Sequence, residues 1–147
     1  MRRSILSALG AAAAIGLIAG AASPASAAPP PRWSVQITAH TDIDGGGASE
    51  FESTIPGCES GEVLDIAGGP HFTPLGGSYR GLKEFTCDGG ETGFVVQLTA
   101  RFGDGGATGS WTLQSAWGDL DGFKGSGSLV GIPTAIGIDD IYVGQLR

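Results

Sequence analysis

Apolar and polar residues alternate along most of the chain after residue 32. This spacing is typical of β-strands that bury one face and expose the other. The clearest case is residues 92–102, where Gln97, Thr99 and Arg101 form the polar face. The opposite face is formed by every second residue, namely Phe94, Val96, Leu98, Ala100 and Phe102. Shorter alternations predict further strands at residues 33–39, 50–55, 61–67, 82–87, 110–115, 123–132 and 138–146.

The connections between these segments are short and rich in Gly, Asp, Pro and Ser. Pro56-Gly57 is expected to end the second strand, and Gly68-Gly69-Pro70 the third. No segment in this part of the chain has apolar residues at helical spacing. Short connections favour antiparallel neighbours. The pattern therefore predicts a single all-β domain, an antiparallel β-barrel of about eight strands, with a β-sandwich as the alternative.

The first 27 residues have the organisation of a signal peptide. Arg2 and Arg3 precede an uncharged apolar run, and Ala25-Ser26-Ala27 fits a cleavage site. We therefore predict a cleaved signal peptide at 1–27, a proline-rich spacer at 28–32, a β-barrel domain at 33–147, and secretion to the extracellular space. A retained membrane anchor is the alternative, but no positive stop-transfer cluster follows the run. The general and twin-arginine export routes both remain open.

Charge narrows the classes of partner. Without Arg2 and Arg3 the chain has six Lys and Arg residues against 15 Asp and Glu. Such a surface repels phosphate backbones and anionic lipid. We expect no nucleic-acid partner, and the oligomeric state stays open.

Cys58 and Cys87 are the two cysteines of the chain. In an exported protein they are expected to form a disulfide. The closed loop of roughly 30 residues would stabilise the fold by about 3–4 kcal/mol. A catalytic or metal-binding thiol is the alternative, but two cysteines without a histidine at ligand spacing supply too few ligands for zinc. We expect neither a metal site nor a cofactor.

The most glycine-rich candidate motif is WGDLDGFKGSG at residues 117–127. Its glycine and lysine spacing does not fit a phosphate-binding loop. It also lacks the further oxygen ligands of an EF-hand, as does the segment at residues 42–47, which leaves only weak, adventitious calcium binding. The stretch is expected to be a turn between strands, with Leu120 and Phe123 facing inward.

Residues 116–127, AWGDLDGFKGSG, resemble the G-T-G-x-[YL]-x-G-[LF]-x-G-x-G stretch of allene oxide cyclase-like and dirigent-like barrels, and similar stretches occur in small secreted actinobacterial proteins. The resemblance continues around Cys58, through Phe85-Thr86-Cys87, and in the Asp140-x-Tyr142-x-Gly144 segment. Ala116 and Trp117 depart from the pattern, which has Gly-Thr there. The resemblance implies an eight-stranded antiparallel barrel, and no catalytic residue of the cyclases can be matched to this chain.

Few residues offer chemistry. The two histidines, His40 and His71, border predicted turns, and no nucleophile elbow G-x-S-x-G occurs. Asp139 and Asp140 are adjacent, so on a strand they point to opposite faces. Asp140 and Tyr142 share a face. If that face is interior, Asp140 can act as an acid or orient a ligand; otherwise it is a surface residue that closes a turn.

Aromatic residues are the remaining candidates, because an eight-stranded barrel is just wide enough to hold one small ligand. We expect a non-enzymatic module that binds a small apolar molecule or an envelope or extracellular partner. A cyclase-like or dirigent-like enzyme and a structural protein without a pocket are the alternatives. The candidate ligand-binding residues are Trp33, Tyr79, Trp111, Asp140 and Tyr142.

Overall fold

A computed structural model of the protein describes residues 32–42 and 48–147. The predicted signal peptide, nearly all of the proline-rich spacer and the aspartate–glycine segment at 43–47 lie outside these residues. A single 3-10 helix, Gly118–Leu120, interrupts the strands in the described part. The strands are β1 (Trp33–Asp42), β2 (Ser49–Ser53), β3 (Ser60–Thr73), β4 (Gly76–Cys87), β5 (Gly93–Gly103), β6 (Gly106–Trp117), β7 (Gly125–Pro133) and β8 (Gly137–Leu146).

The strands form a closed barrel in which each pairs antiparallel with the next along the chain. β8 closes the barrel against β1, in a register that runs from Trp33 opposite Leu146 to Asp42 opposite Gly137. The predicted antiparallel barrel of about eight strands is confirmed, and the sandwich alternative is wrong. Among the described residues, no helix has the length and hydrophobicity of a transmembrane span.

Gly68-Gly69-Pro70 does not end the third strand, so that prediction was wrong. β3 continues to Thr73, and Pro70 lies opposite Tyr79 of β4. A bulge between Asp65 and Ala67 shifts the register, and Gly68 then takes a φ of 81°. A β-carbon at Gly68 would lie 2.2 Å from the carbonyl oxygen of Arg80. Glycine is therefore used here to bend a continuous strand against its neighbour.

The two ends of the barrel differ. We call one the disulfide end, because Cys58 and Cys87 form a disulfide there with their α-carbons 5.0 Å apart, as predicted. We call the other the open end; the hairpin turns at residues 73–76, 103–106 and 133–137 surround it.

Phenylalanine rings pack the interior at the disulfide end. Phe85 and Phe94 stack with their centroids 4.8 Å apart, and Phe51 meets Phe85 edge-on at 5.2 Å. Ile55, from the segment after β2, and Leu120, from the 3-10 helix, are both buried against this core. The interior is therefore closed at this end by side chains.

The glycine–aspartate stretch forms a turn, as predicted. The 3-10 helix leads from β6 into a turn held by main-chain bonds, with the Asp121 N–H donating to the Gly118 carbonyl. Gly118 and Gly122 have φ angles of 65° and 80°, which suit glycine. Leu120 is buried and Phe123 is half-buried against the core, so both side chains face inward as expected.

Candidate functional site at the open end of the barrel

A cavity of about 530 Å³ occupies the open end of the barrel. Phe85 and Tyr142, whose rings meet edge-on at 5.5 Å, lie one inward-facing position deeper than the cavity floor. Most of the wall is apolar, while the ionisable residues are concentrated on β3, β4 and β8. Among the apolar lining residues are Leu98, Ala100, Phe102, Ala107 and Leu129, with Phe72, Pro133 and Ile138 towards the rim.

Glycines on the inner face leave room for the polar side chains. A β-carbon at Gly131 would lie 2.8 Å from an Asp140 carboxylate oxygen, and one at Gly81 would lie 2.6 Å from the Tyr79 hydroxyl. Neither Asp140 nor Tyr79 could keep its place beside a larger neighbour. The two glycines therefore let these side chains fold into the barrel.

Lys83 is the buried cation of the cavity. It alternates with Phe85 and Cys87 on the inner face of β4 and is only 5% exposed. Its Nζ lies 3.0 Å from Oδ1 of Asp65, the residue directly opposite on β3. Burying an ammonium group is costly unless it is paired, so the Asp65 carboxylate offsets this cost.

Tyr79 joins the same pair. Its hydroxyl donates to Oδ1 of Asp65 at 3.0 Å, and the Lys83 Nζ lies 5.5 Å from the centre of its ring. Burial, followed by the nearby Asp65 charge, raises the pKa of the Tyr79 hydroxyl well above its ordinary value. Tyr79 therefore stays a neutral hydrogen-bond donor throughout the physiological pH range.

Asp140 is buried on the opposite wall and is 7% exposed. Of the two alternatives for Asp140, the surface residue closing a turn is wrong, because β1 and β7 flank Asp140 on both sides, at Ala39 and Gly131. Burial raises its pKa to about 6, against the opposing effect of Lys83. No ion pair within 4.0 Å joins the two side chains in the described part of the protein.

Asp139 points the other way, which confirms the prediction that the adjacent aspartates occupy opposite faces. Its Oδ1 lies 2.8 Å from Nδ1 of His40 on the outer surface of the barrel. His71 is exposed on β3 rather than in a loop. Neither histidine lines the cavity, and the described residues contain no group of three or more His, Cys, Asp or Glu side chains that could hold a metal ion.

The structure separates the five candidate ligand-binding residues. Tyr79 and Asp140 line the cavity. Tyr142 and Trp111 are buried in the core instead, and neither the Tyr142 hydroxyl nor the Trp111 Nε1 has a hydrogen-bond partner among the described residues. Burial and then the nearby Asp140 raise the pKa of Tyr142 well above its ordinary value. Trp33 packs on Phe123 at the disulfide end, with their centroids 5.1 Å apart.

The sequence did not predict three polar residues of the cavity, namely Lys83, Asp65 and Thr41. The Thr41 hydroxyl is buried and has no hydrogen-bond partner among the described residues. The signal for Lys83 was present, since it alternates with Phe85 and Cys87. Asp65 likewise follows Val63 at the spacing of one strand face. Nothing in the sequence indicated the bulge, or the extension of β3 to Thr73, that together bring Asp65 opposite Lys83.

Comparisons of the chain with known protein families, with curated proteins and with solved structures found no match. The resemblance to allene oxide cyclase-like and dirigent-like barrels therefore stays a prediction.

The cavity combines an apolar wall with groups that form hydrogen bonds of both kinds. The Lys83 ammonium donates, while the Asp140 carboxyl accepts when ionised and also donates when protonated. With a pKa of about 6, Asp140 changes between these forms close to neutral pH. The site can therefore hold an apolar molecule by its body and orient it through one polar group.

Proposed function

We propose that the protein is a secreted, non-enzymatic module that binds a small, largely apolar molecule in the open end of its barrel. The observation that carries this proposal is the cavity of about 530 Å³, apolar along most of its wall, with Lys83 and Asp140 as its buried ionisable residues. Ligand pockets typically measure about 300–1,000 Å³ and combine an apolar lining with a few polar groups.

The placement of Lys83 and Asp140 supports a ligand with a single polar group near one end. Both residues lie one inward-facing position above the closed core, on β4 and β8. A polar group that reached them would leave the apolar part of the molecule against Leu98, Ala100 and Leu129. Burial of that part would supply most of the affinity, at about 25 cal/mol per Å² of apolar surface.

Secretion is part of the proposal. The positive start, apolar run and small-residue cleavage pattern of residues 1–27 support it, and the disulfide is compatible with an oxidising compartment.

An enzyme of the allene oxide cyclase-like or dirigent-like kind is the second candidate. The raised pKa of Asp140, about 6, favours it, because a carboxyl that titrates near neutral pH can donate or accept a proton in a low-dielectric site. Binding remains the leading proposal because it needs only the cavity and its polar groups. The cavity itself counts against the third alternative, a structural protein without a pocket.

The test is native mass spectrometry of protein purified from the culture medium of its own source. We expect an added, non-covalent mass that organic solvent extracts. The Ala100→Phe variant should lose it, because Ala100 lines the cavity and the larger ring fills it. Thr99→Phe is the matched control, since Thr99 is exposed on the outer face of the same strand. A protein without added mass, or a mass that both variants retain, would contradict the proposal.

The extracted compound then separates binding from catalysis. It is incubated with the protein and with Asp140→Asn, and its conversion is followed by chromatography. No conversion by either protein supports the binding module. Conversion that Asp140→Asn abolishes, while the compound still binds, would replace the binding module with the enzyme.

A further inference from the structure

A second cavity, of about 690 Å³, lies at the disulfide end, far from the site described above. It is a groove bordered on one side by residues 112–116 of β6 and on the other by residues 121–126, which run from the turn into β7. Arg32, Gln145 and Arg147 complete it. We call it the β6–β7 groove.

The groove exists because β6 and β7 separate before β6 ends. β7 pairs with β6 only as far as Thr112, opposite Ser126. Residues 113–117 of β6 still pair with β5, across a bulge at Gln114, but no described strand pairs with their other edge. The chain instead runs through the 3-10 helix, where the Asp119 N–H donates to the Thr92 hydroxyl beside the start of β5, and then through the turn that forms the far side of the groove. A strand edge of this kind is a template for pairing with another extended chain.

Positively charged side chains are concentrated in the β6–β7 groove. Of the six Lys and Arg residues that follow residue 27, three line the groove: Arg32, Lys124 and Arg147. None of the three makes an ion pair within the described part of the chain. Asp121 is the single acidic side chain among the lining residues. The groove is therefore positive by its side chains, on a protein with 15 acidic residues.

We propose that the β6–β7 groove binds an acidic peptide segment of a partner protein, in extended conformation, by adding it to the edge of β6. Main-chain bonds to residues 113–117 would hold the peptide as an added strand. Its carboxylates would meet the three cations, and Gln114 and Gln145 offer further hydrogen-bond donors at the rim.

The charge of the whole molecule argues for a peptide over a long polyanion. A polysaccharide or nucleic acid would extend beyond the groove onto a surface in which acidic residues outnumber basic ones by 15 to six. A short acidic segment touches only the positive groove. The chain's own residues 28–31, an alanine and three prolines, carry no charge and supply only one N–H for pairing. The proposal does not depend on ligand binding at the open end.

Fluorescence anisotropy with a labelled peptide of alternating glutamate and threonine, about eight residues long, tests the proposal. We expect saturable binding that weakens with added salt, and no binding of the same peptide with lysine in place of glutamate. The double variant Lys124→Glu, Arg147→Glu should bind at least about tenfold more weakly. Arg80→Glu, Arg101→Glu is the matched control, since both residues are exposed on the outer faces of β4 and β5. It should bind within about twofold of the unchanged protein.

A second peptide tests the strand pairing separately from the charges. Methylation of alternate backbone nitrogens, on the edge that faces β6, removes donors without changing charge, and it should abolish binding. Equal binding of the methylated and unmethylated peptides would overturn edge pairing.

Tighter binding of a heparin oligosaccharide than of the peptide would assign the groove to a polyanion instead. Self-association of the protein that Lys124→Glu, Arg147→Glu disrupts would assign it to a second copy. Either result, or no binding of the glutamate peptide, overturns the proposal.

Discussion

The two ends of the barrel use the same strands for opposite purposes. On β4, Phe85 packs the disulfide end, while Lys83, two residues earlier on the same face, is a buried cation of the open end. On β8, Tyr142 and Asp140 have the same relation. On each strand, a buried aromatic residue and a buried ionisable residue are therefore only two positions apart on the same face.

This difference has an energetic meaning. Stacked rings and a disulfide stabilise the disulfide end. At the open end, burial of Lys83 and Asp140 removes both groups from water, which costs free energy. The ion pair of Lys83 with Asp65 and the raised pKa of Asp140 offset only part of that cost. Ionisable groups whose pKa is shifted by burial in a cleft cluster at functional sites. The comparison supports stability at the disulfide end and ligand binding at the open end.

The largest expected effect is loss of a ring from the packed end. Phe85→Ala should lower the free energy of unfolding by about 3–5 kcal/mol, because Phe85 is fully buried and its removal leaves a cavity. Phe72→Ala is the matched control at the open end. Phe72 is 73% exposed and packs edge-on against Phe102, so its loss should cost less than about 1 kcal/mol. Urea denaturation monitored by circular dichroism measures both. Equal losses would contradict the contrast between the two ends.

Removal of the disulfide should have the next largest effect. The double variant Cys58→Ser, Cys87→Ser opens a loop with a sequence separation of 29, and we expect a loss of about 3–4 kcal/mol from the freed unfolded chain. Differential scanning calorimetry of the variant, and of the unchanged protein with and without reductant, checks it. An unchanged melting temperature would mean that the cross-link adds nothing to the packing around it.

Asp140→Asn should give a smaller effect of the opposite sign. Because the folded-state pKa is about 6 and the ordinary value is 3.8, the folded protein holds its proton more tightly than the unfolded chain does. Asp140 therefore destabilises the fold increasingly as pH rises from about 4 to 6, and fully above that range. Asp140→Asn should gain about 2–3 kcal/mol at pH 8 and little at pH 4.

Asp139→Asn is the control for this change. It lies next in the chain but on the outer face, where it pairs with the exposed His40. Its effect should stay within about 1 kcal/mol at both pH values. Chemical denaturation at pH 4 and pH 8 compares the two variants. A gain for Asp140→Asn that is the same at both pH values would show that Asp140 is not a buried, titrating carboxyl.

The strands and the barrel could be predicted because each strand of a closed barrel buries one face, which produces the alternation that defines it. Strand ends were less predictable. Gly68-Gly69 is typical of turns, yet here both residues lie inside β3, and a β-carbon at Gly68 would meet the Arg80 main chain of β4. Whether such a glycine ends a strand or bends it depends on the strand alongside, which a single segment does not reveal.

The candidate site was predictable only in part. Asp140 shared a face with Tyr142, but alternation alone does not say which face is interior. Lys83 carried the same signal beside Phe85 and Cys87, although a charged residue on an apolar face conflicts with the usual cost of burial. Asp65, which offsets that cost, is separated from Lys83 by 18 positions and meets it only through the β3–β4 register.

The sequence by itself determined the strand pattern, the acidic surface and the pairing of its two cysteines, because these follow from side-chain alternation, residue counts and the expected export. The tertiary structure decided where charge is buried. Barrel closure turned one face of each strand inward, a bulge set Asp65 opposite Lys83, and Gly131 left room for the Asp140 carboxyl. Each of these depends on contacts between distant segments, and burial, which sets the pKa of Asp140, exists only once those segments are in place.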